Sequence, residues 1–119
     1  LKFLGEMMNV RTSTLDNKTI VIDIEDGDDG SLVEMMDVKE NGFAVFGEGV
    51  PIPMAVVDSR IRRHDWVTND HLLAIEAHEL GHIRMESSIE SVAEREGIRL
   101  LEAAGHHTAA SILKERGIL

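Results

Sequence analysis

The feature that most constrains the fold is a change of hydrophobic period near residue 67. Before it, apolar residues form short β-branched or alternating runs, such as TIVIDI at residues 19–24. After it, apolar residues recur at the three- and four-residue spacing of a helix. The 119 residues therefore predict one α+β domain, with a sheet-rich half at 1–66 and a helical half at 67–119.

The sheet-rich half predicts short strands in a small, mostly antiparallel sheet. Strands are expected at 19–24, 31–38, 43–46 and 53–61, and the acidic run at 25–31 is expected to form a solvated hairpin turn. Segment 53–61, PMAVVDSRI, is apolar on both faces. Residues 1–15 place apolar side chains at helical spacing and predict a short helix before the first strand.

The helical half predicts three helices. Thr68 is a suitable N-cap and Asp70 lies in the favourable first turn, which predicts a helix over about 69–85. Gly81 within it leaves room for close backbone packing. The expected caps and stops of the second and third helices are Ser87 or Ser88, Gly105, Thr108 and Gly117.

Charge and composition exclude several classes of protein. The net charge is -10, with 4 basic and 12 acidic residues in 1–59 and 8 and 10 in 60–119. Such a chain is unsuited to holding nucleic acid or an anionic membrane by bulk charge. It has no cysteine, no spanning apolar run and no signal peptide, and it begins at Leu1, as a trimmed chain would. We expect a soluble, cytoplasmic domain with neither a nucleic-acid nor a membrane partner.

The segment His78-Glu79-Leu80-Gly81-His82 matches the pattern HExxH inside the first predicted helix. Residues four apart lie on one helix face, so both imidazoles can bind one Zn²⁺ ion. Glu79 lies beside that face, where it can take a proton from an attacking water and deliver it to a leaving amine. The pattern also occurs by chance in chains rich in histidine and glutamate, so its context has to support it.

A catalytic zinc site needs a third protein ligand, and without cysteine this must be nitrogen or oxygen. Met85 and Ser88 stand where a Met-turn enzyme would have glycine and its third histidine. The downstream acidic candidates are Glu86, Glu90, Glu94 and Glu96. Glu90 and Glu94 share a helix face, so one can bind metal while the other supports a histidine. The alternative role for Glu90 is a capping box with Ser87.

The stretch AIEAHELGHI, followed by ESVAEREGIRLLEAAG at residues 90–105, resembles the HExxH…ExxA(D/N) pattern of gluzincin metallopeptidases. It is most similar to the catalytic core of HtpX-type and CAAX-prenyl-protease-type enzymes, and more distantly to ImmA/IrrE peptidases. The resemblance implies a zincin-like fold with Glu90 as the third zinc ligand and Glu94 in the acidic position behind it. It also implies that PMAVVDSRI is the edge strand along which an extended substrate lies.

The function expected from the motif and the resemblance is zinc-dependent endopeptidase activity on a peptide or protein substrate. A transition-state donor is also needed, and without tyrosine the candidates are His106, His107, His64 and nearby arginines. A non-catalytic zinc-binding regulatory or interaction domain is the alternative. A third reading is a helix-rich binding domain in which HExxH is accidental.

Overall fold

The computed structural model describes residues 8–25 and 41–115, which form a sheet followed by helices. The strands are β1 (Met8–Thr12), β2 (Ile20–Ile24), β3 (Gly42–Val45) and β4 (Met54–Asp58). A 3₁₀ helix at Ser59–Arg63 leads to α1 (Asn69–Met85), α2 (Glu90–Ala103) and α3 (His107–Glu115). The predicted α+β class is confirmed. Within the described ranges, no helix is both long enough and apolar enough to cross a membrane.

The four strands form one mixed sheet in the order β1-β2-β4-β3. β1 and β2 are antiparallel, β2 and β4 are parallel, and β4 and β3 are antiparallel. The strand predicted within 53–61 is present as β4, but it lies inside the sheet, so its prediction as the edge strand was wrong. Ala55 and Val57 pack in the core cluster with Ile75 of α1, while Val56 packs with Ile24 in a separate cluster. Burial on both faces is typical of an interior strand.

The helix predicted over residues 1–15 was wrong for its described part, because residues 8–12 form β1. The ladder to β2 runs from Met8 opposite Ile24 to Thr12 opposite Ile20. Arg11 reinforces it, with Nε 2.7 Å from Asp23 of β2 and Nη2 2.6 Å from Glu76 of α1. Sheet pairing and these ion pairs override a short helical spacing. Residues 1–7, the acidic turn at 26–31 and the strand predicted at 31–38 lie outside the described residues.

The three predicted helices are confirmed, although their caps differ in part. Thr68 is the N-cap of α1 in extended conformation, and the His71 ring Nδ1 accepts a hydrogen bond from its backbone N–H at 3.0 Å. The N-cap of α2 is Ile89, neither Ser87 nor Ser88. Helix α3 begins one residue before Thr108, and Gly117 lies outside the described part.

Helices α1 and α2 pack closely against each other. Gly97 of α2 lies against Ala77 of α1, where an added Cβ would be 2.8 Å from the Ala77 carbonyl oxygen. A distance below 3 Å leaves no space for a side chain, so glycine allows the two helices to approach. Ala77 directly precedes His78, so this contact lies next to the HExxH segment.

Candidate metal centre

Helix α1 presents His78, Glu79 and His82 to the interior of the domain. Their exposures are 5%, 4% and 7%, although all three side chains are polar. The two imidazole rings lie edge to face, with their centroids 4.9 Å apart. The predicted sharing of one helix face is therefore observed, and buried polar groups in such a position need partners.

Glu90, the first residue of α2, supplies those partners. Its Oε2 lies 2.6 Å from His78 Nε2 and its Oε1 lies 3.2 Å from His82 Nε2. The candidate ligand atoms of these three residues all lie within 4.8 Å of one another. The carboxylate side chain is 59% exposed, so the cluster faces solvent on the Glu90 side. The structure places Glu90 as a partner of both histidines, with its carboxylate directed at their rings.

The Nδ1 atoms of the two histidines, which are not the atoms that contact Glu90, have different surroundings. His82 Nδ1 lies 2.7 Å from the Ser87 carbonyl oxygen, which can only accept a hydrogen bond. The proton is therefore on Nδ1, which leaves Nε2 directed at the cluster. His78 Nδ1 is buried and has no hydrogen-bond partner among the described residues. Glu94 therefore makes no hydrogen bond to that nitrogen, and its supporting role stays a prediction.

These three side chains can hold a metal ion. Two imidazoles and one carboxylate are a donor set used by catalytic zinc sites with an open fourth position. The convergence of two Nε2 atoms and two carboxylate oxygens from adjacent helices suits such an ion. The contact of His82 Nδ1 with the Ser87 carbonyl also suits it, because a ring that binds metal through Nε2 usually donates its Nδ1–H to such an acceptor. The cluster does not by itself define which metal is bound.

A cleft of about 200 Å³ opens beside the cluster, between the helices and the sheet. Its walls include Glu79, His82, Glu90, Gly42, Ala44 and Phe46. Another cavity, of about 440 Å³, is lined by Lys18, Ile52 and Arg84 among others, but by none of the cluster residues. The smaller cleft is the relevant one, because it is the one that Glu79 and the candidate ligands His82 and Glu90 line.

The wall opposite the helices is β3, which within the described residues has a pairing partner on one side only, β4. The Asn41 carbonyl accepts a hydrogen bond from Asp58 N–H at 2.9 Å. Backbone groups alternate in direction along an antiparallel strand, so those of Gly42 and Ala44 point away from β4. The backbone edge that faces away from the sheet therefore belongs to two residues that line the cleft.

Gly42 also leaves space for the side chains of α1. A Cβ on Gly42 would lie 2.7 Å from Ile75 Cγ2, 2.8 Å from the Val56 carbonyl oxygen and 3.4 Å from Glu79 Oε2. The Glu79 carboxylate thus lies directly against β3. Beyond the strand, Phe46 stacks on the His82 ring at a centroid distance of 6.1 Å. Residues 42–46 therefore contact α1 both at Glu79, the candidate proton carrier, and at His82, a candidate ligand.

The other predicted histidines do not join this site. His106 and His107 lie at the opposite end of α2, about 20 Å from Glu90 along a 14-residue helix. His64 stacks on Trp66, with 6.1 Å between the ring centroids. None of these rings lines the cleft.

Five cleft residues were not assigned to the site by the sequence analysis: Gly42, Phe43, Ala44, Phe46 and Ser88. Ser88 adds a hydroxyl group, a possible hydrogen-bond donor, beside Glu90. The signal for Gly42 and Phe46 was their alternation with Ala44 along a strand. It could be used only once β3 was known to be the edge that faces α1.

No family model, curated protein or solved structure matches this chain. The candidate site therefore rests on its own residues and their geometry.

Proposed function

We propose that this domain is a zinc-dependent metallopeptidase that cleaves an extended peptide bound at the β3 edge. The observation that carries the proposal is the position of Glu79. Its buried carboxylate lies against β3, with Oε2 3.4 Å from the position of a Cβ on Gly42, and it lines the same cleft as His82, Glu90 and Ala44. A proton carrier in one cleft with candidate metal ligands and a strand edge is what peptide hydrolysis requires.

His78, His82 and Glu90 would hold the zinc ion. When bound, zinc acidifies water and polarises a carbonyl group. Glu79 accepts a proton from the attacking water as its oxygen adds to the peptide carbonyl carbon. The same carboxyl group then returns the proton to the amide nitrogen as the C–N bond breaks. The sum is one water consumed and one amine and one carboxylate formed.

The β3 edge would supply recognition. A peptide added as a further strand pairs with the backbone groups of Gly42 and Ala44. Its alternate side chains then face the cleft beside Phe46. In this mode the backbone of the substrate is recognised by strand pairing. The bound segment must therefore be extended, and a folded segment is excluded.

A Glu79→Gln substitution tests the proposal. The amide keeps the shape of the side chain but cannot carry a proton, so we expect zinc binding to persist while cleavage of a mixed peptide library is lost. Glu115→Gln, at the exposed end of α3, is the matched control and should keep both. If the wild-type protein carries zinc but cleaves no peptide in the library, the proposal of peptide hydrolysis is rejected.

The small volume of the cleft favours a second candidate, a zinc-binding interaction domain without catalysis. About 200 Å³ is below the usual size of a ligand pocket. In that case, zinc would stabilise the turn between α1 and α2, and Glu79→Gln would change neither zinc content nor partner binding.

A further inference from the structure

The connection between α1 and α2 is only four residues long, at 86–89. Glu86 adopts the left-handed conformation, with φ 47° and ψ 46°. Its N–H donates to the Ile83 carbonyl at 3.2 Å, and Ser87 N–H donates to the His82 carbonyl at 3.1 Å. Carbonyl groups of the last turn of α1 are thereby hydrogen-bonded, and the four-residue connection leads the chain into α2.

The connection brings two groups into contact with the histidines, the Ser87 carbonyl and the Glu90 carboxylate. The Ser87 carbonyl comes to 2.7 Å from His82 Nδ1, while Ser87 Oγ accepts a hydrogen bond from Ile89 N–H at 3.1 Å. Helix α2 then begins at Glu90, whose carboxylate contacts both Nε2 atoms. The backbone conformation of this connection thus determines which nitrogen of His82 carries the proton and where α2 begins.

We propose that Glu86 is a positioning residue for the metal centre, and that it acts through its left-handed backbone rather than through its carboxylate. The inference rests on the metal-binding part of the proposed function and is independent of peptide hydrolysis. The left-handed region is accessible to glycine, acceptable for asparagine and unfavourable for β-branched residues. Substitutions at this position can therefore separate the backbone from the side chain.

Asn17 provides a matched control. It is the other described non-glycine residue with positive φ, at 55°, and its N–H donates to the Ser13 carbonyl at 2.9 Å in the turn between β1 and β2. It does not line the cleft. A valine there imposes the same kind of backbone strain away from the cluster.

The experiment compares Glu86→Gly, Glu86→Asn, Glu86→Val and Asn17→Val with the wild type. Zinc affinity is measured by competition with a chromophoric chelator, and the His82 tautomer is read from ring ¹⁵N shifts of metal-free protein at a pH where the ring is neutral. We expect the glycine and asparagine variants to stay within about threefold of wild-type affinity. Glu86→Val should lose about tenfold or more, as other changes to groups that orient ligands do. Asn17→Val should lose stability but not zinc affinity.

The tautomer measurement gives the second readout. Glu86→Val should lower the share of His82 with its proton on Nδ1, while Asn17→Val should not. Wild-type zinc affinity and an unchanged tautomer in Glu86→Val would overturn the inference, as would weakened binding in both Glu86→Gly and Glu86→Asn. If the valine variant does not fold, those two variants decide. If the wild type binds no zinc, the proposed function fails, and the tautomers of the metal-free variants still test the role of Glu86.

Discussion

Gly81 of α1 lies against the backbone of Ala93 of α2, so that a Cβ on Gly81 would overlap the Ala93 carbonyl oxygen and lie 2.7 Å from its carbonyl carbon. Gly81 immediately precedes His82, and Ala93 is three residues after Glu90. This close approach of the two helices is therefore next to the residues that form the candidate metal centre. The room for close packing expected from the sequence at Gly81 is present.

Gly81→Ala should separate the helices and weaken metal binding. The neighbour is rigid backbone, so we expect overpacking to cost about 1–3 kcal/mol or more of unfolding free energy. Chemical denaturation measures the stability and chelator competition the zinc affinity. Ser91→Ala, at an exposed position of α2, is the control and should change neither. A stable Gly81→Ala variant with normal zinc affinity would contradict the packing argument.

Removing any of the three candidate ligands should weaken metal binding strongly. His78→Ala and His82→Ala each remove a buried nitrogen donor, and Glu90→Ala removes the carboxylate that meets both rings. We expect about one zinc per chain in the wild type by elemental analysis, and much less in each variant. His71→Ala is a control on the same helix, because that ring caps the helix start and should leave zinc content unchanged.

Glu76→Ala should destabilise the fold without acting on the metal centre. Glu76 is 2% exposed and accepts hydrogen bonds from Arg11 Nη2 and Ser13 Oγ, both at 2.6 Å. Its removal leaves both donors without this buried partner, which we expect to cost about 3 kcal/mol. Urea unfolding gives the cost. Zinc affinity measured well below the unfolding transition should equal that of the wild type, and a loss there would mean that the network also shapes the site.

The ion pairs of Glu96 should make stability depend on acid pH. The hydrogen bond from Arg99 is the largest cause that lowers the pKa of Glu96 from 4.5 to about 2; burial opposes it, and the hydrogen bond from Arg84 and the charges of both arginines lower the pKa further. A carboxylate with a lowered folded-state pKa contributes stability above pH 4.5, and this contribution is lost as pH falls from 4.5 towards 2. Because the arginines are partly exposed, we expect on the order of 1 kcal/mol.

Unfolding of wild type and Glu96→Gln at several pH values checks this. The difference in unfolding free energy should be present at neutral pH and shrink below about pH 4.5. Glu25→Gln, at an exposed position after β2, is the control for the loss of one carboxylate. A difference that is constant with pH would assign the effect to packing instead.

Ala44→Pro should impair peptide binding while leaving metal binding intact. Proline removes the one backbone donor of Ala44, which points away from β4, and an edge strand tolerates proline at such a position. If an extended peptide pairs there, kcat/KM should fall about tenfold, with unchanged zinc content. Unchanged turnover in a folded variant would remove β3 from the binding site.

The sequence by itself determined the class, the three helices and the residues able to hold a metal. Local signals carry these features: caps at Thr68, a period of three to four residues, and two histidines one helical turn apart. These signals depend only on neighbouring residues, so they can be interpreted without knowledge of distant contacts.

Tertiary structure alone decided which strand forms the edge and how Glu90 reaches both histidines. The position of β4 inside the sheet follows from pairing with β2 and β3, which are distant from each other in sequence. Pairing with β2 makes residues 8–12 a strand despite their helical pattern. The reversal at Glu86 depends on a backbone conformation that its side chain does not favour. Non-local pairing and the close packing of two helices impose these features, because they outweigh the local preferences of the residues concerned.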